Sequence, residues 1–494
     1  MKDTGRSRRP AATAIPAAAL ALSLPFIASP SASASTQLPG NAAAKAEAVA
    51  GKARPVTDPR LVATEKKQEV LDKVAGQITE GLSESDRARI PGFTEIEVDP
   101  DHNSLRLHWK GSPPQRVQRI LAHLPQGVTA SVLPARYSKA DLHAARNKLL
   151  RGGKPADLRV AGVSTPIHIT SIGPAVDGSG LDITYADALG PHTAAPREPL
   201  APAARKDRSL EVKALTDRLT GINTAASYKA PPTEAPTPTA PAKHPVSASP
   251  EVGVTNRQHD AAPWTGGSGL KNPTGGICSS GFGVKNYKGV NMLTTAAHCN
   301  GNDGLWRTYL GGDAVGSSDG LAISMTDDVQ GIDLPEPQLS GALYDGTAMR
   351  LDYYAKPVSG WGHNNVGDYV CEDGANGGVH CNVQISKTDI GVTGENGVYR
   401  PIADLAYATS LTSDGIAGVN GDSGAPVFAG ANNFTTDEAR GTLTSFDRTV
   451  NCPADESVST VTDGWQRTPW CFKGLYYVPI YQTLQDMNWT LVTS

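Results

Sequence analysis

The stretch GVNGDSGAPVF (Gly418–Phe428) places one serine, Ser423, in a turn between glycines. A serine hydroxyl attacks a carbonyl only when a base takes its proton and N–H donors stabilise the resulting oxyanion. Gly421 lets the backbone turn so that its N–H and that of Ser423 converge on one point. This pattern predicts a nucleophile at Ser423 and an oxyanion hole at Gly421 and Ser423. The alternative is an ordinary polar surface turn.

A candidate base lies upstream in LTTAAHC (Leu293–Cys299). The two alanines before His298 are small and leave its ring accessible. Cys299 can bridge to Cys278, and closing a loop of about 20 residues contributes roughly 3 kcal/mol in the loop-entropy model. This bridge would anchor the segment that carries the histidine, so we predict His298 as the general base.

The histidine needs a carboxylate that fixes its tautomer and stabilises its charged form. We predict Asp333 of GIDLPEPQL for this role, because apolar Ile332 and Leu334 flank it and favour partial burial. Asp327 and Asp328 are the alternatives, five or six residues away. The order His298, Asp333, Ser423 is one of three chain orders that such triads take in unrelated folds.

The start of the 494-residue chain has the pattern of an export signal. Basic residues precede an apolar run at 15–27, and small residues that end at Ala34 form a candidate cleavage site. The apolar run is too short to span a bilayer permanently. No other run approaches the ~18 apolar residues of a membrane helix. We therefore predict a signal peptide at 1–34 and a secreted, extracellular protein with no membrane partner.

The cysteines favour the same compartment. All six lie between Cys278 and Cys471. An even set in one half of an exported protein indicates three disulfides. A zinc site is the alternative, but no CxxC or HxxxH spacing supports it, and we predict no metal or other cofactor.

The chain divides into regions of different composition. Residues 35–190 predict a small α+β region, since QEVLDKVAGQI has helical periodicity whereas TEIEV and SLRLHW alternate as strands do. Residues 191–254 are rich in proline and alanine and predict a linker. Residues 255–494 contain short alternating segments separated by glycine, asparagine and aspartate, which favour an all-β sandwich or barrel.

Charge divides at the same boundary. The chain has 32 Lys and Arg against 24 Asp and Glu through Thr255, and 13 against 25 after it. Opposite net charges favour association of the two halves. Two independently solubilised domains would show the same division.

TAAHC (Thr295–Cys299) and GDSGAP (Gly421–Pro426) together resemble the chymotrypsin-type serine endopeptidases. Three further segments narrow the resemblance to the secreted actinobacterial branch of streptogrisins and α-lytic-type proteases: VCEDGANGGVHC (Val370–Cys381), LTS (Leu443–Ser445) and YYVPI (Tyr476–Ile480). The resemblance covers about residues 255–494.

The resemblance implies a chymotrypsin-like domain of two six-stranded antiparallel β-barrels. The first barrel would bear His298 and Asp333, the second Ser423, and substrate would bind between them. The α+β region would be a proregion that assists folding, inhibits the enzyme and is removed by self-cleavage. The implied partners are polypeptide substrates and this proregion, with no nucleic acid, and the implied state is a monomer.

The resemblance also implies disulfides and a substrate-binding surface. Cys371 and Cys381 would close a hairpin, which leaves Cys452 and Cys471 to close an insertion. The implied substrate-binding residues are Ala417, Asn420, Thr444, Ser445, Phe446 and Asp447. An uncharged Ala417 at the pocket floor favours apolar or small P1 side chains, whereas Asp447 at the rim would favour basic ones.

Two other classes compete with a secreted serine endopeptidase. A catalytically silent protease-fold binding protein is disfavoured by the presence of His298, Asp333 and Ser423. An α/β-hydrolase esterase needs its G-x-S-x-G turn between a strand and a helix. Here GDSGA is followed by strand-like PVF. The sequence therefore favours the endopeptidase.

Overall fold

The computed structural model describes residues 59–159, 166–187, 202–229, 256–299, 304–318, 320, 322–335, 338–346, 348, 354–394, 397–409, 415–452, 461–462, 465–466 and 470–494, with backbone only at 187, 202–207, 461–462 and 465–466. The chain divides into units at 1–38 and 39–494, and every described residue belongs to the second. The predicted signal peptide and the proline-rich stretch 230–250 lie outside the described residues.

The first half of the described chain is an α+β region. Its elements are α1 (Pro59–Thr79), a 3₁₀ turn (Asp86–Arg89), β1 (Phe93–Asp99), β2 (Ser104–Trp109), α2 (Gln115–Leu121), β3 (Thr129–Pro134), α3 (Lys139–Asn147), β4 (Leu150–Arg151), β5 (Lys154–Pro155), β6 (Ile167–Pro174), β7 (Leu181–Asp187), α4 (Pro202–Thr220) and β8 (Thr224–Tyr228). Leu71 and Ile78 of α1 are buried in one core with Leu107 and Trp109 of β2. The predicted helix and hairpin are thus confirmed.

The boundary predicted at residue 190 is wrong. The segment predicted as a linker contains α4 and β8, and β8 pairs in parallel with β7. Val212 of α4 is buried in the core that also holds Ile183 of β7. The ordered α+β region therefore extends to Tyr228, because α4 supplies an apolar face that the proline content of the segment did not reveal.

The second half is built from short strands. Its elements are β9 (Trp264–Gly266), β10 (Gly269–Lys271), β11 (Ile277–Ser279), β12 (Gly283–Lys285), β13 (Asn291–Thr295), a 3₁₀ turn (Ala297–Cys299), β14 (Gly304–Thr308), β15 (Ala314–Ser318), β16 (Ile323–Ser324), β17 (Val329–Asp333), β18 (Leu339–Tyr344), β19 (Ala355–Trp361), β20 (Tyr369–Gly374), β21 (Gly378–Thr393), β22 (Tyr399–Ala408), β23 (Gly418–Val419), β24 (Pro426–Ala431), β25 (Thr436–Val450), β26 (Val461–Thr462), β27 (Trp465–Gln466), β28 (Cys471–Pro479), α5 (Ile480–Met487) and β29 (Thr490–Leu491).

These strands form two large sheets, and β26 and β27 pair as a separate two-stranded sheet. The first runs in the order β11-β10-β14-β15-β17-β13-β12-β29, with β16 on β17, and encloses buried Leu293, Trp306 and Ile332. In the second sheet, six strands each pair with the next in the order β20, β21, β22, β28, β25 and β24. Strand β24 also pairs with β20, so the six strands form a closed ring. The strand-rich organisation predicted for 255–494 is confirmed. The first sheet differs from the predicted closed barrel of six, since its described strands form an open path of eight.

The α+β region joins the second sheet through its backbone. Strand β6 pairs antiparallel with β21, with Ile172 opposite Gly391 and Ser171 opposite Val392. Because β7 pairs with β6 and β8 with β7, the sheet continues from the ring into the first half of the chain. Among the described helices, none is long and apolar enough to cross a membrane.

Candidate active site

The structure brings the predicted nucleophile and base together. Ser423 Oγ lies 2.9 Å from Nε2 of His298. His298 lies in the 3₁₀ turn directly after β13, and the disulfide Cys278–Cys299 ties this turn to β11. The N–H of Ser279 at the end of β11 donates to the carbonyl of Ser423 at 2.8 Å. The first sheet therefore holds both the histidine and the turn that carries the serine.

The turn that carries the predicted nucleophile Ser423 (Gly421–Gly424, the nucleophile turn) requires glycine at two positions. Gly421 and Gly424 have φ angles of +95° and +86°, which L-residues with side chains rarely adopt. A Cβ on Gly421 would lie 1.9 Å from Nδ2 of Asn376, and one on Gly424 would lie 2.6 Å from the backbone nitrogen of Ala296. The GDSG pattern thus reflects close packing on both sides of Ser423.

The carboxylate at the histidine is Asp328. Its Oδ2 lies 2.7 Å from Nδ1 of His298, and its Oδ1 accepts the backbone N–H of the same residue at 2.9 Å. Nδ1 therefore carries the ring proton, which leaves Nε2 to accept from the hydroxyl of Ser423. Both ring nitrogens are engaged, and neither by Asp333. The prediction that Asp333 is the partner of His298 is wrong.

Strand register explains the difference. In the antiparallel pair of β13 and β17, Thr295 lies opposite Gln330, so the turn before β17 lies beside the residues that follow β13. Asp328 occupies that turn with φ +51°. Asp333 ends β17 opposite Met292, about 16 Å farther along an extended strand. Flanking apolar residues marked Asp333 as part of a strand, but they did not give its register against β13.

Asp328 is held as an anion in a fully buried site. Burial alone would raise the pKa of Asp328, but the contact with His298 and the guanidinium of Arg400 hold it below its ordinary value. Nη2 of Arg400 lies 2.8 Å from Oδ2, and the hydroxyl of Thr444 donates to the same oxygen. The side chain of His298 is 23% exposed whereas that of Asp328 is 0% exposed. The site therefore presents the imidazole to solvent and the carboxylate to the interior.

The carboxyl group beside the predicted nucleophile, that of Asp422, is held by backbone donors. Its oxygens accept three backbone N–H groups, from Val419, Asn376 and Gly377, at 2.8–3.1 Å. Burial raises the pKa of Asp422 to about 6 in spite of these donors. Asp422 thus ties the nucleophile turn to the loop after β20.

The other alternative in the sequence, Asp327, points elsewhere. Its Oδ2 accepts the hydroxyl of Ser324 at 2.8 Å. Burial raises the pKa of Asp327 to about 6, and the nearby charge of Asp486 acts in the same direction. Of the three neighbouring aspartates, Asp328 is the one that contacts His298.

The residues predicted to bind substrate lie on both sides of the nucleophile turn. Ala417 is buried in the core of the ring, and Asn420 exchanges hydrogen bonds with the backbone of Trp470. Thr444 faces Asp328, and half-buried Ser445 follows it on β25 opposite Tyr476. Ala417 is thus part of the core, whereas Thr444 contacts the carboxylate beside His298.

Phe446 and Asp447, also predicted to bind substrate, both contact neighbouring side chains. The ring of Phe446 stacks on that of Phe472 at 4.5 Å, and a Cβ on Gly418 would lie 2.8 Å from it. Asp447 accepts a hydrogen bond from the hydroxyl of Tyr407 and lies 3.7 Å from Nε of Arg448. Asp447 is thus already paired, which weakens the sequence argument for a basic P1 side chain.

Sequence reasoning missed Arg400, Ser279 and Asn376. Ser279 donates to the carbonyl of Gly421 at 3.3 Å, and Asn376 donates to that of Asn420 at 2.9 Å. Each lies far along the chain from the residue that it contacts, and no local pattern links the two. Only the pairing of distant strands reveals these contacts.

The predicted disulfide pairing is confirmed. The structure joins Cys278 to Cys299, Cys371 to Cys381 and Cys452 to Cys471. No group of three or more histidine, cysteine, aspartate or glutamate side chains in the described part of the chain could hold a metal ion.

Comparison with known proteins gives structural matches only. No family model and no curated protein matches the chain. Solved structures with similarity include Thermobifida fusca protease A (17% identity), Nocardiopsis protease (18%) and Cellulomonas bogoriensis chymotrypsin (20%). They cover 47%, 46% and 47% of this chain and 98%, 97% and 98% of their own, with TM-scores of 0.33, 0.31 and 0.32. The conclusions below therefore depend on the geometry of this chain.

Proposed function

We propose that the chain is a secreted serine endopeptidase that acts through Ser423, His298 and Asp328. The observation that carries this proposal is the continuous line of contacts from Ser423 Oγ through both ring nitrogens of His298 to Oδ2 of Asp328. A serine, a histidine and a buried aspartate in this order of contact form the catalytic triad of acyl-transfer enzymes on several unrelated folds.

In the proposed mechanism, Ser423 attacks the scissile carbonyl while Nε2 of His298 takes its proton. The tetrahedral oxyanion is stabilised by the N–H groups of Gly421 and Ser423. Asp328 holds the imidazole in the productive tautomer and stabilises its charged form. His298 then protonates the leaving amine, and water releases the acyl group from Ser423 by the same steps in reverse.

We further propose that the α+β region ending at Tyr228 is a proregion removed by self-cleavage. Its support is the paired strand β6 on β21 and ion pairs that bridge the two halves, including Arg440 with Asp72 at 2.8 Å. Gln68 also exchanges hydrogen bonds with the backbone of Tyr369 in both directions. Such backbone pairing would hold the β21–β22 hairpin in place while the second sheet folds.

Expression of the full chain beside Ser423→Ala tests this function. The wild type should cut itself between Tyr228 and about residue 260 and release a mature protein that digests unfolded polypeptides. Ser423→Ala should stay at full length, because the attacking oxygen is absent. Ser112→Ala, at an exposed position of the α+β region, is the matched control and should be cleaved like the wild type.

Identical cleavage of the wild type and Ser423→Ala in a host free of other secreted proteases would contradict the proposal. Mass spectrometry of the products identifies the cut site in each protein.

A further inference from the structure

We propose that Arg400 is a positioning residue for the triad, which fixes the carboxylate of Asp328 against His298. This inference rests on the proposed function. The triad described above does not require a cation at its carboxylate, yet Nη2 of Arg400 lies 2.8 Å from Oδ2 of Asp328.

The contact is a buried one. Arg400 is 1% exposed and the side chain of Asp328 is 0% exposed. In the described residues, Asp328 supplies the one carboxylate that pairs with this guanidinium, whose Nη1 donates to the carbonyl of Val398 at 3.2 Å. A buried guanidinium without an anion would cost several kcal/mol. The ion pair therefore fixes both side chains.

Arg400 reaches Asp328 from the other sheet. It is the second residue of β22, whereas Asp328 lies in the turn before β17 of the first sheet. Thr444 of β25 donates to the same Oδ2 and also comes from the second sheet. Two donors from the second sheet thus contact a carboxylate carried by the first, in addition to its two contacts with His298.

The charge has a second consequence, because Oδ2 faces two cations when His298 is protonated. A carboxylate that also pairs with Arg400 stabilises the imidazolium less than a carboxylate that pairs with His298 alone. The neighbouring carboxylate of Asp327 accepts the hydroxyl of Ser324 instead of contacting the ring. Removal of the Arg400 charge should therefore favour protonated His298 and extend it to higher pH.

The test is the rate at which a fluorophosphonate labels the secreted protein, measured from pH 4 to pH 9. In the wild type this rate should rise as His298 loses its proton. In Arg400→Gln the midpoint of the rise should move up by about one pH unit. In Arg400→Lys, which keeps the charge without the planar fork, the midpoint should stay near that of the wild type while the plateau rate falls severalfold.

Thr444→Val supplies a second comparison, because it removes a donor to the same oxygen without a change in charge. It should lower the plateau and leave the midpoint in place. A midpoint in Arg400→Gln that coincides with that of the wild type would overturn the role of Arg400, as would a midpoint in Arg400→Lys that moves by a full unit. If Arg400→Gln does not fold, the plateau rate of Arg400→Lys decides the positioning role: a severalfold fall supports it, and a plateau equal to that of the wild type overturns it. Failure of the wild type to label at any pH would instead overturn the proposed function.

Discussion

Asp328→Asn should lower kcat for peptide hydrolysis by about four orders of magnitude. The asparagine side chain fits the same space, but its amide presents an N–H₂ group or a weaker acceptor to Nδ1 of His298. The imidazole then takes the wrong tautomer, and Nε2 no longer accepts the proton of Ser423. The loss should therefore appear in kcat while substrate affinity changes little.

The matched control is Asp333→Asn, since it makes the same chemical change five residues away, at the far end of β17. Its kcat should remain within a few-fold of the wild type, because Asp333 ends β17 away from the ring nitrogens that Asp328 and Ser423 already occupy. Initial-rate kinetics on one peptide substrate compare the two variants directly. A loss in Asp333→Asn as large as that in Asp328→Asn would contradict the assignment.

Asp389→Ala should lower the free energy of unfolding of the full chain by about 3–5 kcal/mol. Asp389 is fully buried in the second sheet and receives three basic side chains from α3: Nη1 of Arg146 at 3.3 Å, Nζ of Lys139 at 3.6 Å, and a short contact from His143. Burial would raise the pKa of Asp389, but Arg146, Lys139 and His143 together hold it well below its usual range. Removal of the carboxylate leaves the buried guanidinium of Arg146 without this partner, whereas Lys139 keeps Glu95 at 3.0 Å.

This stability also has a pH signature. Because the pKa of Asp389 is depressed in the folded chain, its contribution is complete above the ordinary carboxyl pKa of about 4 and is lost as pH falls below it. Urea unfolding at pH 7 in a Ser423→Ala background avoids self-cleavage. Asp157→Ala is the control, since Asp157 pairs with His168 at the surface and should contribute less than about 1 kcal/mol. An Asp389→Ala chain as stable as the Asp157→Ala chain would contradict the prediction.

The parts of the site that the sequence revealed are those in which local constraints are strong. The glycines beside Ser423 are needed where the turn packs on Asn376 and Ala296, so their pattern marks the turn. His298 lies next to a cysteine whose loop is short enough to propose its bridge, and the bridge is present. Short alternating segments likewise predicted the strands of the second half.

The parts that the sequence left open depend on contacts between distant segments. The choice between Asp328 and Asp333 depends on the register of β17 against β13, which apolar flanking residues do not specify. Arg400 contacts its carboxylate across two sheets, so no spacing in the chain identifies it. The end of the α+β region was misplaced because proline and alanine dominate a segment whose helix buries Val212 against β7.

The most direct test of the central claim is the site at which a fluorophosphonate attaches. The wild-type protein is treated with the probe at pH 8, digested and mapped by mass spectrometry, beside Ser423→Ala and Asp333→Asn. The account predicts one label per chain on Ser423 in the wild type and in Asp333→Asn, and none in Ser423→Ala. Equal labelling of the wild type and Ser423→Ala would contradict it.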